Sequence, residues 1–508
     1  MGKRESILES ITGQAETCPE KLAIEGQSYS LSYAELIEQV NLTADCLRNS
    51  EAEAIGLLLE NGPIWVVIDL AAQMVGKVVV PLPLFFSDEQ LKHVIDDAGI
   101  SLLVTDNPVR LSKVVDGLFD EAQPFQNRGL LQAESISLYK RKRPVECNAE
   151  LRGVGKVTYT SGTTGAPKGV CLSNESIFAV SKALQERTEA TADDCHLCLT
   201  PLSTLLENIA GIYVPLLAGG KVVVLPSESV GLRGASGLDI KQLFSALITC
   251  EASSAILIPQ MLLAMVTAIE MGLPKPDKLR FLAVGGAPVS ASLLERAAAC
   301  GLPLFQGYGL SECASVVAVN SPTENRLGSV GKALPHLQVS FSEEGDILVK
   351  GPLFKGYLGQ EKVEQDCFWE TGDVGYQDDD GYLWITGRKK SLFITSFGRN
   401  IAPEWLESEF SSHSAIQQIA VFGEGQPWNC AVIVSRQLVT VEGFAKIGQI
   451  IEEINERLPD YGQVKQWIAA KEPFSLENGQ WTGTARPRRE VIFEAYKEEI
   501  EQLYLKAE

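Results

Sequence analysis

Short apolar runs rich in Val, Ile and Leu alternate along much of the chain with longer stretches in which apolar and polar positions are interleaved. Ala54–Leu59, Lys77–Pro81 and Ser101–Val104 read as strands, and Tyr33 to Asn49 and Asp88 to Ala98 as helices. A second set repeats the pattern. Lys221–Leu225, Ala255–Ile258 and Arg280–Val284 read as strands, separated by helical segments at Asp239 to Thr249 and Gln260 to Met271. Such alternation predicts two stacked α/β subdomains. From Val339 to Ile385 the runs shorten and glycine turns multiply, which predicts a small β-barrel-like piece. After Gly387-Arg-Lys-Lys390 the rest reads as a compact α+β segment. The predicted fold is therefore α/β, with a large N-terminal domain over residues 1–387 and a small C-terminal domain over residues 388–508.

One segment falls outside this packing pattern. Thr158-Tyr-Thr-Ser-Gly-Thr-Thr-Gly-Ala-Pro-Lys-Gly-Val170 brings three glycines and several hydroxyls onto one lysine between two apolar runs. Gly162, Gly165 and Gly169 let the backbone present N–H groups to an anion; Ser161, Thr163 and Thr164 add donors, and Lys168 adds a full charge. A polyphosphate fits that donor set. The segment differs from the P-loop, whose lysine follows glycine and opens a helix. Here Pro167 precedes Lys168, Val170–Leu172 reads as strand, and Ser173 or Asn174 caps a helix only afterwards. The grip must come from amides, hydroxyls and lysine. A Gly/Thr-rich surface hairpin is the alternative, and the full run of identities argues against it.

At this segment the chain resembles the adenylate-forming superfamily of acyl-CoA synthetases, adenylation domains and luciferases. Later segments are similar to that family's motifs in the same order: Tyr308-Gly-Leu-Ser-Glu312, Gly328-Ser-Val-Gly331, Val349-Lys-Gly-Pro352 with Gly356-Tyr357, Thr371-Gly-Asp373, Gly387-Arg-Lys-Lys390 and Gly398-Arg-Asn-Ile-Ala-Pro-Glu404. One motif departs. Thr482-Gly-Thr-Ala-Arg486-Pro-Arg-Arg489 carries arginine where the family has its adenylation lysine.

The resemblance implies an AMP-forming acid–thiol ligase. A carboxylic acid and ATP would give an acyl-adenylate and pyrophosphate, and a thiol, coenzyme A, would then take the acyl group. It implies that Lys168 and the loop Ser161, Gly162, Thr163, Thr164 and Gly165 hold the β/γ-phosphates, and that Glu312 meets Mg²⁺. Asp373 would bind the ribose and Arg388 ribose or phosphate. Gly286, Ala287, Gly307, Tyr308, Gly309 and Ser311 would line the nucleotide, and Lys390 would be the hinge of a mobile C-terminal domain. Arg486 would serve as the adenylation cation, and Thr204 stands where many relatives carry a histidine that gates or orients the acid. Two rivals accompany this reading. One is a fatty acyl-AMP ligase that loads the phosphopantetheine of an acyl carrier protein; the other is a nucleotide-binding pseudoenzyme, suggested by Arg486.

Leu202 aligns where amino-acid-activating relatives place an aspartate, so a substrate ammonium would be buried without a partner. Leu205, Leu206, Ile209, Ile212, Ile258, Met261 and Val316 suit a fatty or aryl acid, and suit a packed core equally well. A net charge of −21 over 508 residues excludes nucleic acid as a general partner. The most apolar region, Pro63 to Phe86, is broken by Asp69, Gln73 and Lys77, so no membrane span is expected, and a cytoplasmic protein is. No oligomeric state is implied. Eleven cysteines without a framework read as reduced thiols; Cys195-His-Leu-Cys198 reads as strand core rather than zinc site. His93, His336 and His413 read as structural or exposed, and Arg488 and Arg489 as a solvated basic loop.

Overall fold

Strands that bury both faces can afford no alternation, and that is what the unbroken apolar runs become. Ala54–Leu58, Val78–Pro81 and Leu102–Thr105 are buried at every position and pair in parallel. A computed structural model of the chain describes residues 5–115, 117–120, 123–124, 136–143, 149–160, 167–233, 237–364, 366–435, 437, 440–482 and 486–505. Among these residues the three strands sit inside an eight-stranded sheet. Its order is Gly356–Tyr357, Lys168–Leu172, Lys156–Thr160, Val78–Pro81, Ala54–Leu58, Leu102–Thr105, Ser137–Lys140 and Gln123–Pro124.

The second set builds a nine-stranded sheet. Its order is Lys332–Ala333, Ala318–Val319, Leu304–Tyr308, Phe281–Val284, Ser254–Leu257, Cys195–Leu197, Lys221–Val224, Leu22–Gly26 and Ser30–Ser32. Leu22–Gly26, early in the chain, thus pairs in parallel with Lys221–Val224, so the two layers interlock rather than follow one another. Inward faces of both sheets share one core with the helices Tyr33–Arg48, Pro63–Met74 and Asn174–Arg187. Ser32 starts the first of these through a reciprocal capping box with Glu35. The outer faces are covered separately. Ile240–Thr249, Pro259–Glu270 and Ala291–Ala299 pack on the nine-stranded sheet, and Asp88–Asp97 and Pro108–Val114 on the other.

Two buried polar networks pin these layers, and both run through a π-helical turn, Glu207–Tyr213. In the first, the Lys156 ammonium lies 2.9 Å from the Asp69 carboxylate, with the two side chains 1% and 0% exposed. Asn208 and Tyr213 bond both groups, and Gln73 donates to Tyr213. In the second, Glu207 accepts from Thr200 N and Oγ1 and pairs with His196 Nε2 at 3.0 Å, while His196 Nδ1 meets Ser254. Burying such charges is costly unless each is paired and bonded, and here each is.

The glycine-rich stretch forms a four-stranded antiparallel sheet of Gln338–Phe341, Asp346–Lys350, Trp369–Gln377 and Leu383–Arg388. Its end strands are not bonded to each other among the described residues, so the predicted barrel is open. A separate C-terminal domain follows. There Gln418–Phe422, Asn429–Val434 and Val464–Ala469 form a three-stranded sheet. Alternate side chains feed two small cores: Ile419, Val421, Ala431 and Ile433 face Pro403–Ser411 and Val441–Asn455, while Ala420, Phe422, Cys430 and Val432 face Arg489–Ala495 and Lys497–Leu505. Among the described residues no helix is long and apolar enough to cross a membrane.

Candidate active site

The predicted residues gather at two places along the large domain's edge. At the first, Asp373 is the centre. Register on adjacent strands sets Asp373 directly opposite Arg388, and Arg388 Nε lies 3.1 Å from Asp373 Oδ1. Tyr308, at the end of Leu304–Tyr308, donates its hydroxyl to Asp373 Oδ2 at 2.7 Å. Burial and the adjacent carboxylate push the Tyr308 pKa up, so the phenol stays protonated as a donor. A carboxylate has about four lone-pair sites, so Asp373 retains acceptor capacity for further hydroxyls.

Arg486 faces this cluster from the C-terminal domain. Its Nη2 donates to the Gly286 carbonyl at 2.5 Å. Arg486 keeps an exposed face, while crowding of its guanidinium and the Arg388 charge push its pKa down, opposed by Asp373 and Glu404. The loop that carries it is tied by Thr482 N to the Arg486 carbonyl at 2.8 Å and by Arg486 N to Thr482 Oγ1 at 3.0 Å. Gly286 itself takes a left-handed φ of 80° and a Cβ there would meet nothing within 4 Å, which leaves the floor of the cleft open. Ala287 follows it on the same loop, and Gly307 sits on the strand that ends in Tyr308.

At the second place, Lys168 begins the strand Lys168–Leu172, opposite Thr160, and the helix after it starts at Asn174 with Ser173 as its cap. Ser161, Gly162, Thr163, Thr164 and Gly165 lie outside the described residues. Glu312 sits in the short turn Ser311–Cys313, half-buried. The backbone around it is constrained. A Cβ on Gly309 would meet the Ser315 carbonyl oxygen at 1.7 Å, and Ala314 and Ser315 hold φ of 51° and 95°, a region that side-chain-bearing residues rarely occupy. That strained pair follows directly on the turn that presents Glu312 and persists only because the surrounding packing holds it.

Within this second place, Lys168 and Glu312 are joined by a residue to which the sequence assigned no role. Tyr357 donates its hydroxyl to Glu312 Oε1 at 2.6 Å, and the Lys168 ammonium lies 5.5 Å from the centroid of its ring. Only its place beside Gly356 in a matched segment hinted at it.

Other expectations fare unevenly. Thr204 bonds its own turn, Oγ1 to the Pro201 carbonyl at 2.6 Å. Leu202, Leu205, Ile209, Ile212 and Val316 are buried together in the core between the sheets, with Leu206 against it. Met261 is buried in the other core, with Ile258 against it, so this apolar set is divided. Arg489 corrects the solvated-loop expectation: it is 21% exposed and bonds both Glu404 and Glu407. The reason is a motif-to-motif pairing that spacing alone cannot reveal. Cys195 and Cys198 are core residues as expected, although His196 between them pairs with Glu207. Lys390 lies exposed in the turn after Leu383–Arg388, and among the described residues its N–H donates to no backbone carbonyl.

Two interlocked α/β sheets met by an arginine from a separate C-terminal domain define a class, and comparison with known proteins agrees. The chain belongs to the AMP-binding enzyme family, whose profile matches residues 11–358, followed by the AMP-binding enzyme C-terminal domain over residues 390–508. It is 26% identical to long-chain-fatty-acid–CoA ligase 5 of Rattus norvegicus, covering 93% of this chain and 84% of that protein. It is 28% identical to 2-succinylbenzoate–CoA ligase of Bacillus mycoides (strain KBAB4), covering 87% and 90%. In fold it is similar to the anthranilate CoA ligase AuaEII in complex with anthranoyl-AMP, with a TM-score of 0.81 at 17% identity over 97% of this chain and 98% of that one. It is also similar to the Bacillus subtilis O-succinylbenzoate coenzyme A synthetase with ATP and magnesium, with a TM-score of 0.73 at 22% identity over 95% and 98%. The chain is an AMP-forming acid–thiol ligase of the acyl-CoA synthetase kind.

Proposed function

We propose that this chain activates an apolar carboxylic acid, fatty or aryl, and passes it to coenzyme A. The observation that carries the reading is the reach of Arg486 across the domain gap to Gly286, beside Asp373, Tyr308 and Arg388. A guanidinium at that point stands where a cation can lie between the acid's carboxylate and the α-phosphate, and arginine is a good phosphate ligand. Asp373 then accepts the ribose hydroxyls, Arg388 donates to ribose or phosphate, and Gly286, Ala287, Gly307, Tyr308, Gly309 and Ser311 border the adenosine. Lys168 and the Ser161–Gly165 loop take the β/γ-phosphates. Glu312 fits a magnesium ion: one oxygen is held by Tyr357, and the other accepts no bond among the described residues. When bound, such an ion neutralises charge between phosphate oxygens.

The small domain, taken from residue 388 with the hinge at Lys390, then turns so that Gly398-Arg-Asn400 meets the thiol. Thr204 stands in the place of the orienting histidine of relatives; its hydroxyl donates to Pro201 and keeps its acceptor lone pairs for the acid's side of the site. The buried Leu202 leaves no partner for a substrate ammonium, which disfavours α-amino acids. Coenzyme A is the acceptor suggested by the relatives; they lend no support to a carrier protein. The reading also fits a cytoplasmic enzyme.

The test is acid-dependent pyrophosphate release over a panel of fatty, aryl and amino acids, with coenzyme A and carrier protein supplied separately. A fatty or aryl acid should be turned over best with coenzyme A, and Lys168→Ala should lower the rate by orders of magnitude. Preferred turnover of an amino acid refutes the substrate class.

A further inference from the structure

The Glu312 carboxylate and the Lys168 ammonium come from different layers of the large domain, yet they converge on one side chain. Tyr357 lies on the two-residue edge strand Gly356–Tyr357, paired with Val170 and Cys171 of the strand that Lys168 begins. Its ring therefore stands beside Lys168 by register. Its hydroxyl reaches out of that sheet to Glu312 Oε1 at 2.6 Å, on the turn that follows Leu304–Tyr308 of the other sheet. The ring is braced. Phe354 packs edge-on at 5.1 Å and Trp369 at 6.4 Å, and the Phe354 N–H donates to the Glu312 carbonyl at 2.8 Å. Facing a carboxylate oxygen, which only accepts, the tyrosine hydroxyl is the donor of this bond.

We propose that Tyr357 is the positioning residue of the phosphate end: its hydroxyl fixes which Glu312 oxygen is free for a metal, and its ring seats the Lys168 ammonium. This rests on the assignment of Lys168 and Glu312 to ATP and its magnesium given above. A carboxylate with one oxygen held by a neutral donor presents the other to a cation with its rotamer already set. An ammonium over a ring face keeps its charge yet stays within about 6 Å of a defined point, so it need not be ordered anew when phosphate arrives. The two effects are separable. Phenylalanine keeps the ring and loses the hydroxyl, and leucine loses both.

The experiment measures ATP binding by calorimetry across a magnesium titration, with thermal melts and steady-state kinetics alongside. Tyr357→Phe should raise the magnesium concentration at half-maximal ATP binding roughly tenfold, the scale of one hydrogen bond to a charged group. It should leave the KM for the acid and the melting temperature near wild type. Tyr357→Leu should weaken ATP binding a further few-fold, as expected for one lost cation–π contact. On a Glu312→Gln background, Tyr357→Phe should have no further effect on the magnesium titration. An unchanged magnesium midpoint in Tyr357→Phe overturns the proposal, as does an equal shift on the Glu312→Gln background. Unfolding of Tyr357→Phe would also overturn it, by making the tyrosine a packing residue only. Wild-type ATP binding that ignores magnesium sinks the phosphate-end assignment and the proposal together, and so differs from failure of the proposal alone.

Discussion

Replacing Arg486 by alanine isolates the contribution of the cation that the C-terminal domain lends to the cleft. The backbone of its loop is held by Thr482, through the bonds at 2.8 and 3.0 Å, and neither uses the guanidinium. Truncation should therefore leave the loop in place and remove only the charge and its bond to Gly286. Loss of one preorganised donor aimed at developing charge costs about 10²–10³ in rate, or roughly 3–4 kcal/mol. The neighbouring guanidiniums are already engaged. Arg489 is tied to Glu404 and Glu407, and Arg388 to Asp373.

Acid-dependent pyrophosphate release by Arg486→Ala should fall at least a hundredfold below wild type, the lower end of that range. Thioester formation from isolated acyl-adenylate should hardly change. Arg486→Lys should match or exceed wild type, since a slim ammonium keeps the charge and fits between carboxylate and α-phosphate without the bulk of a fork. A rate for Arg486→Ala within about threefold of wild type, far less than one donor's worth, would refute the role assigned to this side chain. If wild type adenylates no acid and Arg486→Lys does, the pseudoenzyme reading replaces ours.

Lys390→Pro should slow thioester formation more than adenylation; the effect comes from a fixed φ at the hinge, because the N–H there bonds no backbone carbonyl among the described residues, and equal loss of both steps argues against a hinge. Lys156→Met should destabilise the large domain in urea by about 3–5 kcal/mol by leaving Asp69 buried and uncompensated, whereas Lys156→Met with Asp69→Leu should recover most of it; a single variant as stable as wild type removes the pinning role. His336 has both ring nitrogens buried without partners among the described residues, and desolvation lowers its pKa from 6.5 to about 4. Its stabilising contribution is thus complete above the unfolded value and is lost as pH falls from about 6.5 towards 4, by at most about 3 kcal/mol, and His336→Leu should flatten that slope in melts taken across the range.

What the sequence made legible follows from how locally each feature is determined. The doubly buried strands Ala54–Leu58, Val78–Pro81 and Leu102–Thr105 announce themselves because nearly every position is apolar. The place of Leu22–Gly26 was not legible. Nothing local says that an early strand pairs with Lys221–Val224 in the other layer. The π-helical turn at Glu207 was equally hidden, because its Glu207, Asn208 and Tyr213 side chains are held by His196, Lys156 and Asp69, 11 to 144 positions away.

The same distinction explains which parts of the candidate site could be read in advance. Lys168, Glu312, Asp373 and Arg388 sit in motifs whose neighbours fix local backbone shape, so identity and place are written together. Tyr357 and Arg489 act instead through partners 45 and 82 positions away, Glu312 and Glu407, and a tyrosine or an arginine in a turn-rich stretch carries no local mark of that. Charge shows the limit most plainly. Nothing in a net charge of −21 tells that Arg388 and Arg486 come together, their mutual repulsion offset by Asp373 and Glu404. Phosphate oxygens entering there would relieve that repulsion, so nucleotide binding and closure of the C-terminal domain should reinforce each other.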